Sequence, residues 1–491
     1  MSSPFARTGL HLDLRVQIPP IRALRGLATQ AADLGLDTLV LEWEASYPFA
    51  RHPLIPNCQA YTPAEVADFL AHCAGLGLEV IPLQQCFGHV EYILHHERYA
   101  ALRESAKDFC QVCPDCADEA VPLFTELFAE LAATHTSEFL HIGGDETYLL
   151  GHCPACRAKA ERHGKSSLYV DYFKRVAAAV VKLGKRPVLW ADMLLKHPAA
   201  AAEMPRECVF VDWNYGWESN HFGDLAKLRA TGIEFWGAPG MRSSPDNHSL
   251  TTWETHFNNL RDFIPFARKS DYRAVILTSW STSGLYGYQW EKPGEVIDLL
   301  PMRRVYPISG FNILLAAFRE ALRADRVFDP RTFVVGYGRD HFGLDAWGGA
   351  ALWRALTADA TLLQPGVKLA PIATAVRRAK KLLTDLRPIR HREEFEHLRL
   401  MANLRDFHVR FKQLEERLNS PWLTPARQPA AVRALAALRR ELGPLDRKFA
   451  RLNRPILHPR ELRDELAYRS GKLIALHDRL ARRGRSTHQS S

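Results

Sequence analysis

TLVLEW at residues 38–43, PAEVADFLAHCAGL at 63–76 and EVIPL at 79–83 make one unit: a short apolar run, an amphipathic stretch, and a second short apolar run. Runs of five or six residues centred on Leu, Val and Ile, with no polar alternation, suit strands buried on both faces, as in a parallel sheet. Between them, Pro63 stands where a helix tolerates proline, at its first position. Such a unit is strand, helix, parallel strand.

The same alternation extends from residue 10 to about 285. Eight runs are read as strands: Leu10–Val16, Thr38–Trp43, Glu79–Leu83, Glu138–Ile142, Pro187–Ala191, Cys208–Trp213, Ile233–Gly237 and Ala274–Trp280. Helices are expected between them, for instance over Pro63–Leu76, Ala120–Ala133, Leu168–Leu183 and Trp253–Lys269. Eight such units close naturally into a (β/α)8 TIM barrel. A doubly wound open sheet is disfavoured, because no Gly-x-Gly-x-x-Gly follows the first strand. The barrel is assigned to residues 1–325. Beyond it, Leu, Ala, Arg and Glu recur at helical spacing over 371–417, 429–442 and 459–483, so residues 326–491 are expected to form an α-helical C-terminal region.

The chain has 491 residues, 47% hydrophobic and 24% charged, which is ordinary globular composition. The formal net charge of +9 suggests a nucleic-acid binder only until its distribution is examined. Residues 371–491 hold 28 Lys and Arg against 13 Asp and Glu, which leaves 36 against 42 of the totals 64 and 55 for residues 1–370. An Arg-rich helical tail reads as a solvated face, and an acidic main body is a poor phosphate-binding surface, so no nucleic-acid partner is expected. Met1 to Arg7 contains no apolar core of a signal peptide, and no apolar stretch is long enough for a membrane helix. A soluble cytoplasmic protein with no membrane partner is therefore expected, and nine cysteines do not suggest a disulfide framework. The pattern sets no oligomeric state.

In a barrel, catalytic groups gather where the strands end at the C-terminal face. The fourth run ends in His141-Ile142-Gly143-Gly144-Asp145-Glu146, the sixth in Asp212-Trp213-Asn214-Tyr215, and the eighth in Ser279-Trp280-Ser281. Two glycines let the chain bend at the strand end and aim both following carboxyls into one cavity, whereas a straight strand would point them oppositely. Crowded carboxyls separate their pKa values, which equips one as a general acid. An Asp-Glu pair alone is as easily a helix-entry cap; its position after Gly-Gly at a strand end favours chemistry.

HIGGDE resembles the catalytic signature of glycoside hydrolase family 20, the β-N-acetylhexosaminidases. The resemblance continues through His11-Leu12-Asp13-Leu14, Leu41-Glu42-Trp43-Glu44, the segment Gln84 to Glu91, Leu189-Trp190-Ala191-Asp192-Met193 and Leu277-Thr278-Ser279-Trp280. These segments, spread over about residues 7 to 300, look like the small hexosaminidase D branch. The resemblance implies an exo-acting, retaining glycosidase that takes a glycoside or glycan and needs no cofactor. It implies that Glu146 is the acid/base and that Asp145 stabilises the substrate's 2-acetamido group, whose carbonyl oxygen is the nucleophile. This would account for adjacent acids, since two-carboxylate sites place them on opposite sides of the sugar. Trp190, Trp213 and Trp280 close strands, and Trp236 lies within the seventh; each is read either as a stacking platform for a sugar face or as a plug of the rim. His89, Glu91, His141, Asp192, Tyr215 and Glu291 complete the expected substrate-binding set, with Glu42 and Asp192 equally suited to structural work.

Three departures from the family stand out. The arginine that usually opens the first strand would fall near Thr8, with Arg7 one position away. The tyrosine expected at the sixth strand end aligns with Trp213, and Tyr215 follows two residues later. Arg-Tyr-Asp-His after the last tryptophan is replaced by Ser281 to Gly284. Separately, Cys113-Pro-Asp-Cys116 and Cys153-Pro-Ala-Cys156 can be read as four zinc-binding thiolates, but their 36-residue separation exceeds usual ribbon spacing, so free thiols and no metal are expected. Two further readings stay open: a barrel glycosidase for another glycan, and a non-catalytic carbohydrate- or nucleic-acid-binding protein.

Overall fold

A computed structural model describes residues 5–196, 201, 203–218, 221–281, 287–289, 300–302, 305–323 and 325–486. Eight parallel strands close into a barrel in which sequence neighbours are spatial neighbours. They are β1 (Arg7–Asp13), β2 (Thr38–Glu42), β3 (Glu79–Leu83), β4 (Phe139–His141), β5 (Arg186–Trp190), β6 (Val209–Asn214), β7 (Glu234–Arg242) and β8 (Ala274–Ser279). β8 closes onto β1 with Ala274 opposite Arg7 and Ser279 opposite Leu12. The expected TIM barrel is thus the observed one, and alternate side chains fill it: Val40, Ile81, Val188, Val209 and Ile276 are all buried in one interior cluster.

Helices surround the barrel. Pro63–Gly75 is entered through a capping box in which Thr62 and Glu65 bond each other's backbone N–H, an arrangement worth about 1 kcal/mol. Trp253–Lys269 has the extent its periodicity predicts. No helix among the described residues is long and apolar enough to cross a membrane.

Three details differ from expectation. β1 starts at Arg7 rather than Leu10. The apolar alternation Leu10, Leu12, Leu14, Val16, Ile18 stays buried throughout, but the ladder stops at Asp13, whose carboxylate accepts the Arg15 N–H at 2.9 Å and turns the chain out of the sheet. Arg7 consequently belongs to the N-terminal face. There it pairs with Glu79 and Glu138 and lies 4.6 Å from the Phe139 ring centre, at the opposite end of the barrel from the strand-end acids. Trp236 lies in the same lower layer, edge-on to Phe139 at 4.9 Å, and is not a rim residue.

A two-stranded sheet, Gly287–Gln289 with Leu300–Met302, and the helix Asn312–Ala321 follow the barrel strands. Among the described residues of 326–491 the regular elements are helices, as expected: Pro330–Asp340, Ala346–Leu356, Leu369–Asp385, Arg392–Leu418, Gln428–Asn453 and Pro459–Ser486. The 371–417 stretch is two helices, because Pro388 disfavours helix at the residue before it and His391 takes a left-handed φ of 46°. Part of the tail's positive charge is spent internally: Arg405 pairs with Asp359, Arg469 with Asp446, and Arg410 makes a two-pronged contact with Glu441.

Candidate active site

The chain leaves β4 through Gly143 and Gly144, with φ of 70° and 99°. A Cβ on Gly143 would lie 1.7 Å from Gln85 Oε1, and one on Gly144 2.8 Å from the Phe173 ring. Only glycine fits this turn. Gln85 fastens it, accepting the Gly144 N–H at 3.2 Å while its amide donates to Asp145 Oδ1 at 3.1 Å and Glu42 Oε1 at 3.3 Å. Glu146 follows at φ 51°, which swings its carboxyl alongside that of Asp145. His89, itself at φ 55°, sets Nε2 3.4 Å from Asp145 Oδ2 and 3.2 Å from Glu146 Oε2.

Burial pushes the Asp145 carboxyl up, but the His89 charge, its hydrogen bond and the more distant Arg15 outweigh this and leave it below the usual carboxylate range. Burial would likewise lower His89, and the Asp145 charge with bonds to both carboxyls instead holds it well above 6.5. At neutral pH the pair is therefore imidazolium and carboxylate. The sign of the linkage follows. Asp145 stabilises the fold above its ordinary pKa near 3.8, and that contribution is lost as pH falls through the lowered value; the His89 contribution is full below 6.5 and lost as pH rises through the raised one. In His89→Asn the burial effect on Asp145 is no longer opposed by imidazolium, so the acidic limb of the pH profile of kcat/KM is expected to move to higher pH. An unmoved limb would show that His89 does not set the Asp145 charge.

The acids open into a cavity of about 330 Å³ walled by Trp190, Trp213, Trp280 and Tyr215. Trp190 and Trp280 lie 5.8 Å apart, and the Trp280 indole N–H donates to the Tyr215 hydroxyl at 2.7 Å. Seven of the expected site residues, His89, Asp145, Glu146, Trp190, Trp213, Tyr215 and Trp280, thus converge on one pocket. Asp192 stands behind it, fully buried, accepting the Glu146 N–H at 3.3 Å and the Trp213 indole N–H at 3.4 Å; burial and the Asp145 charge raise it to about 7. His141 and Glu91 do not line the cavity. His141 accepts the Gly143 N–H at 3.0 Å and backs Trp190 at 4.4 Å between ring centres, and burial lowers it to about 3. Glu91 is buried at the start of a one-turn helix, and burial raises it to about 7. Glu42 is wholly buried and holds His11 at 3.1 Å and Arg15 at 3.3 Å. Glu291 lies outside the described residues.

The pocket also holds residues that sequence reasoning did not single out: Arg15, Tyr148, Trp217, His221, Phe222 and Ser244. Arg15 matters most. Buried, fixed to Asp13 at 2.9 Å and lying 5.2 Å from the Trp280 ring centre, it brings a cation to the pocket just past the end of β1, whereas Thr8, the expected place of the family's arginine, stands near the start of the strand. Its signal was the Asp13-Leu14-Arg15 spacing just past the strand.

Among the described residues, His89, Asp145 and Glu146 are close enough to share an ion, as are Glu104 with Cys113, Cys153 and Cys156, and His341 with His391 and Glu394. In the first group the imidazole already provides the positive charge. The model of the catalytic domain of glycosyl hydrolase family 20 matches residues 41–235, which include the acid pair. Hexosaminidase D of Bos taurus is 30% identical over 289 residues, spanning 55% of this chain and 83% of that protein. The chain belongs to glycosyl hydrolase family 20. Hexosaminidase D of Homo sapiens is likewise 30% identical, over 63% of this chain and 68% of its own length. Flavobacterium johnsoniae chitobiase, a family 20 structure, shares the fold with a TM-score of 0.54 at 15% identity, covering 97% of this chain and 73% of that one. As a family 20 member the protein is a glycoside hydrolase with a glycan substrate, and its membership supports β-N-acetylhexosaminidase activity.

Proposed function

We propose that the protein releases terminal non-reducing β-linked N-acetylglucosamine or N-acetylgalactosamine with retention of configuration, the substrate's own acetamido group acting as nucleophile. One observation carries this reading. Asp145 and Glu146 are the only carboxylates among the described residues lining the pocket, and both lie within 3.4 Å of the same His89 nitrogen. Carboxylates sharing one imidazole atom stand on one side of a sugar. A retaining pair with an enzyme nucleophile would face each other across it, about 5 Å apart.

The acetamido carbonyl oxygen adds to the anomeric carbon as the glycosidic bond breaks, and the leaving oxygen takes the Glu146 proton. Asp145, kept ionised by His89, stabilises the positive charge spreading onto the acetamido nitrogen. Glu146 then removes a proton from water, which attacks the anomeric carbon and restores the acetamide. Tyr215, whose oxygen already accepts the Trp280 N–H, donates a hydrogen bond to the acetamido oxygen and keeps its proton. The tryptophans stack on the sugar face, and Arg15 meets its hydroxyls. Asp192, Glu91 and His141 act as positioning residues behind these groups. A cavity of about 330 Å³ lies at the small end of ligand pockets, roughly 300–1,000 Å³, which suits a single terminal sugar and hence exo action.

Aryl glycosides test the mechanism directly. A 2-acetamido substrate should turn over with the β-anomer released first, and the 2-hydroxyl glucoside should be nearly inert. An α-anomer as first product, or a sugar bound covalently to an Asp or Glu side chain, would overturn the reading.

A further inference from the structure

The two Cys-Pro-x-Cys pairs take no part in the chemistry at the barrel mouth, yet three of their sulfurs converge. Cys113 Sγ lies 3.7 Å from Cys153 Sγ and 3.5 Å from Cys156 Sγ. Sulfurs around a tetrahedral zinc, each about 2.3 Å from the metal, are roughly 3.8 Å apart, whereas a disulfide brings them to about 2.05 Å. The spacing matches the first arrangement. It is locally built: Cys153 stands just before the helix Pro154–His163, and its sulfur accepts the Cys156 N–H at 3.3 Å.

A second observation points to a cation. Glu104 is 2% exposed, its Oε1 accepts the His152 and Cys153 N–H groups at 2.6 and 2.9 Å, and its Oε2 is buried with no N–H or O–H donor, the carboxylate's remaining neighbour being the Cys113 thiol. The ligand atoms of Glu104, Cys113, Cys153 and Cys156 all lie within 4.8 Å of one another. A buried carboxylate oxygen faced only by sulfur is costly unless a positive charge neutralises the group. The fourth cysteine, Cys116, borders Cys113 but meets the Ala101 carbonyl at 3.5 Å and falls outside that group of four.

We propose that Cys113, Cys153, Cys156 and Glu104 bind one zinc ion in a closed structural site. Four protein ligands leave no open coordination position, and three thiolates select a soft or borderline metal over magnesium or calcium. Binding releases three thiol protons to solvent and involves no redox change. The site joins the hairpin Arg103–Ser105/Asp108–Val112 and the turn after it to the loop that follows Glu146. That loop is held by the same hairpin once more, through the Leu149 N–H to Gln111 Oε1 at 2.9 Å, and it carries Tyr148 into the pocket. Zinc thus anchors the loop behind the acid pair.

Metal analysis of full-length protein purified without chelators should give one zinc per chain. Cys153→Ser and Cys156→Ser should each lose it. Because those variants can fail to fold, the wild-type protein stripped by a chelator and reloaded with cobalt(II) provides the second arm. It should show thiolate-to-cobalt charge transfer in the near ultraviolet with tetrahedral visible bands, and a melting temperature that falls on stripping and returns on reloading. X-ray absorption should find three sulfurs and one oxygen around zinc. A four-sulfur shell would put Cys116 in place of Glu104 and overturn that ligand assignment. Protein without zinc and with no tetrahedral cobalt spectrum, or with a disulfide among these cysteines, would overturn the site itself.

Discussion

Replacing Glu146 by glutamine is expected to cut turnover of a natural β-linked disaccharide by at least ~10²-fold, the usual scale for losing a general acid. The substitution keeps the shape of the side chain and the backbone N–H that Asp192 accepts at 3.3 Å, so the pocket should stay assembled. What disappears is the proton for the leaving oxygen and the base that activates water. An aryl glycoside with a good leaving group needs no proton in the first step and should lose less in that step. The deglycosylating step should then limit it. The two substrates should therefore diverge in the variant while remaining comparable in the parent. Parent-like rates on the disaccharide would remove Glu146 from the acid role.

Asp145→Asn is expected to cost about 10²–10³-fold in kcat, the range seen when one preorganised electrostatic contact to a developing charge is removed. Asparagine still accepts the Gln85 amide now 3.1 Å from Asp145 Oδ1, but it carries no charge. The oxazolinium-like state loses its counter-ion. His89 loses the larger of the two contacts that hold it above 6.5, so burial, opposed only by the Glu146 bond, should bring its pKa down. A thiazoline mimic of the bicyclic intermediate should lose affinity in parallel with kcat/KM, while the neutral product sugar binds nearly as before. If the mimic binds the variant as tightly as the parent, Asp145 is not stabilising that charge. Calorimetric titration of the two ligands separates the outcomes.

The barrel was legible because short strand runs, most of them apolar on both faces, alternate with amphipathic helices, two patterns that do not mimic one another. The acid pair was legible because Gly143-Gly144 has no other economical use at a strand end. Register was harder. Around β1 the alternation from Leu10 to Ile18 is unbroken, since the chain stays buried after it leaves the sheet, and only the Asp13 turn marks the true end. That three-residue shift left Arg15 inside the expected strand rather than just past its end, and so hid it. Trp236 misled for a related reason: a tryptophan in a strand reads the same in sequence whether it plugs the bottom of a barrel or lines its mouth. The family resemblance, by contrast, rested on motifs at strand ends, where chemistry rather than packing fixes the residue, and family membership agreed with it.

Of the five described non-glycine residues with positive φ, three, Glu44, His89 and Glu146, follow the C-terminal ends of β2, β3 and β4. Such a conformation costs an ordinary side chain about 1–2 kcal/mol relative to glycine. At position 146 a selection for thermal robustness alone would therefore favour glycine and remove a pocket carboxylate, whereas at position 89 the ion pair with buried Asp145 offsets the backbone cost. Position 146, whose carboxylate meets His89 at 3.2 Å, is thus one where backbone and pocket prefer different residues, and position 89 is tied to it through the same contact. Attempts to harden this scaffold should exempt them and look to the helical shell, where stabilising changes do not compete with chemistry.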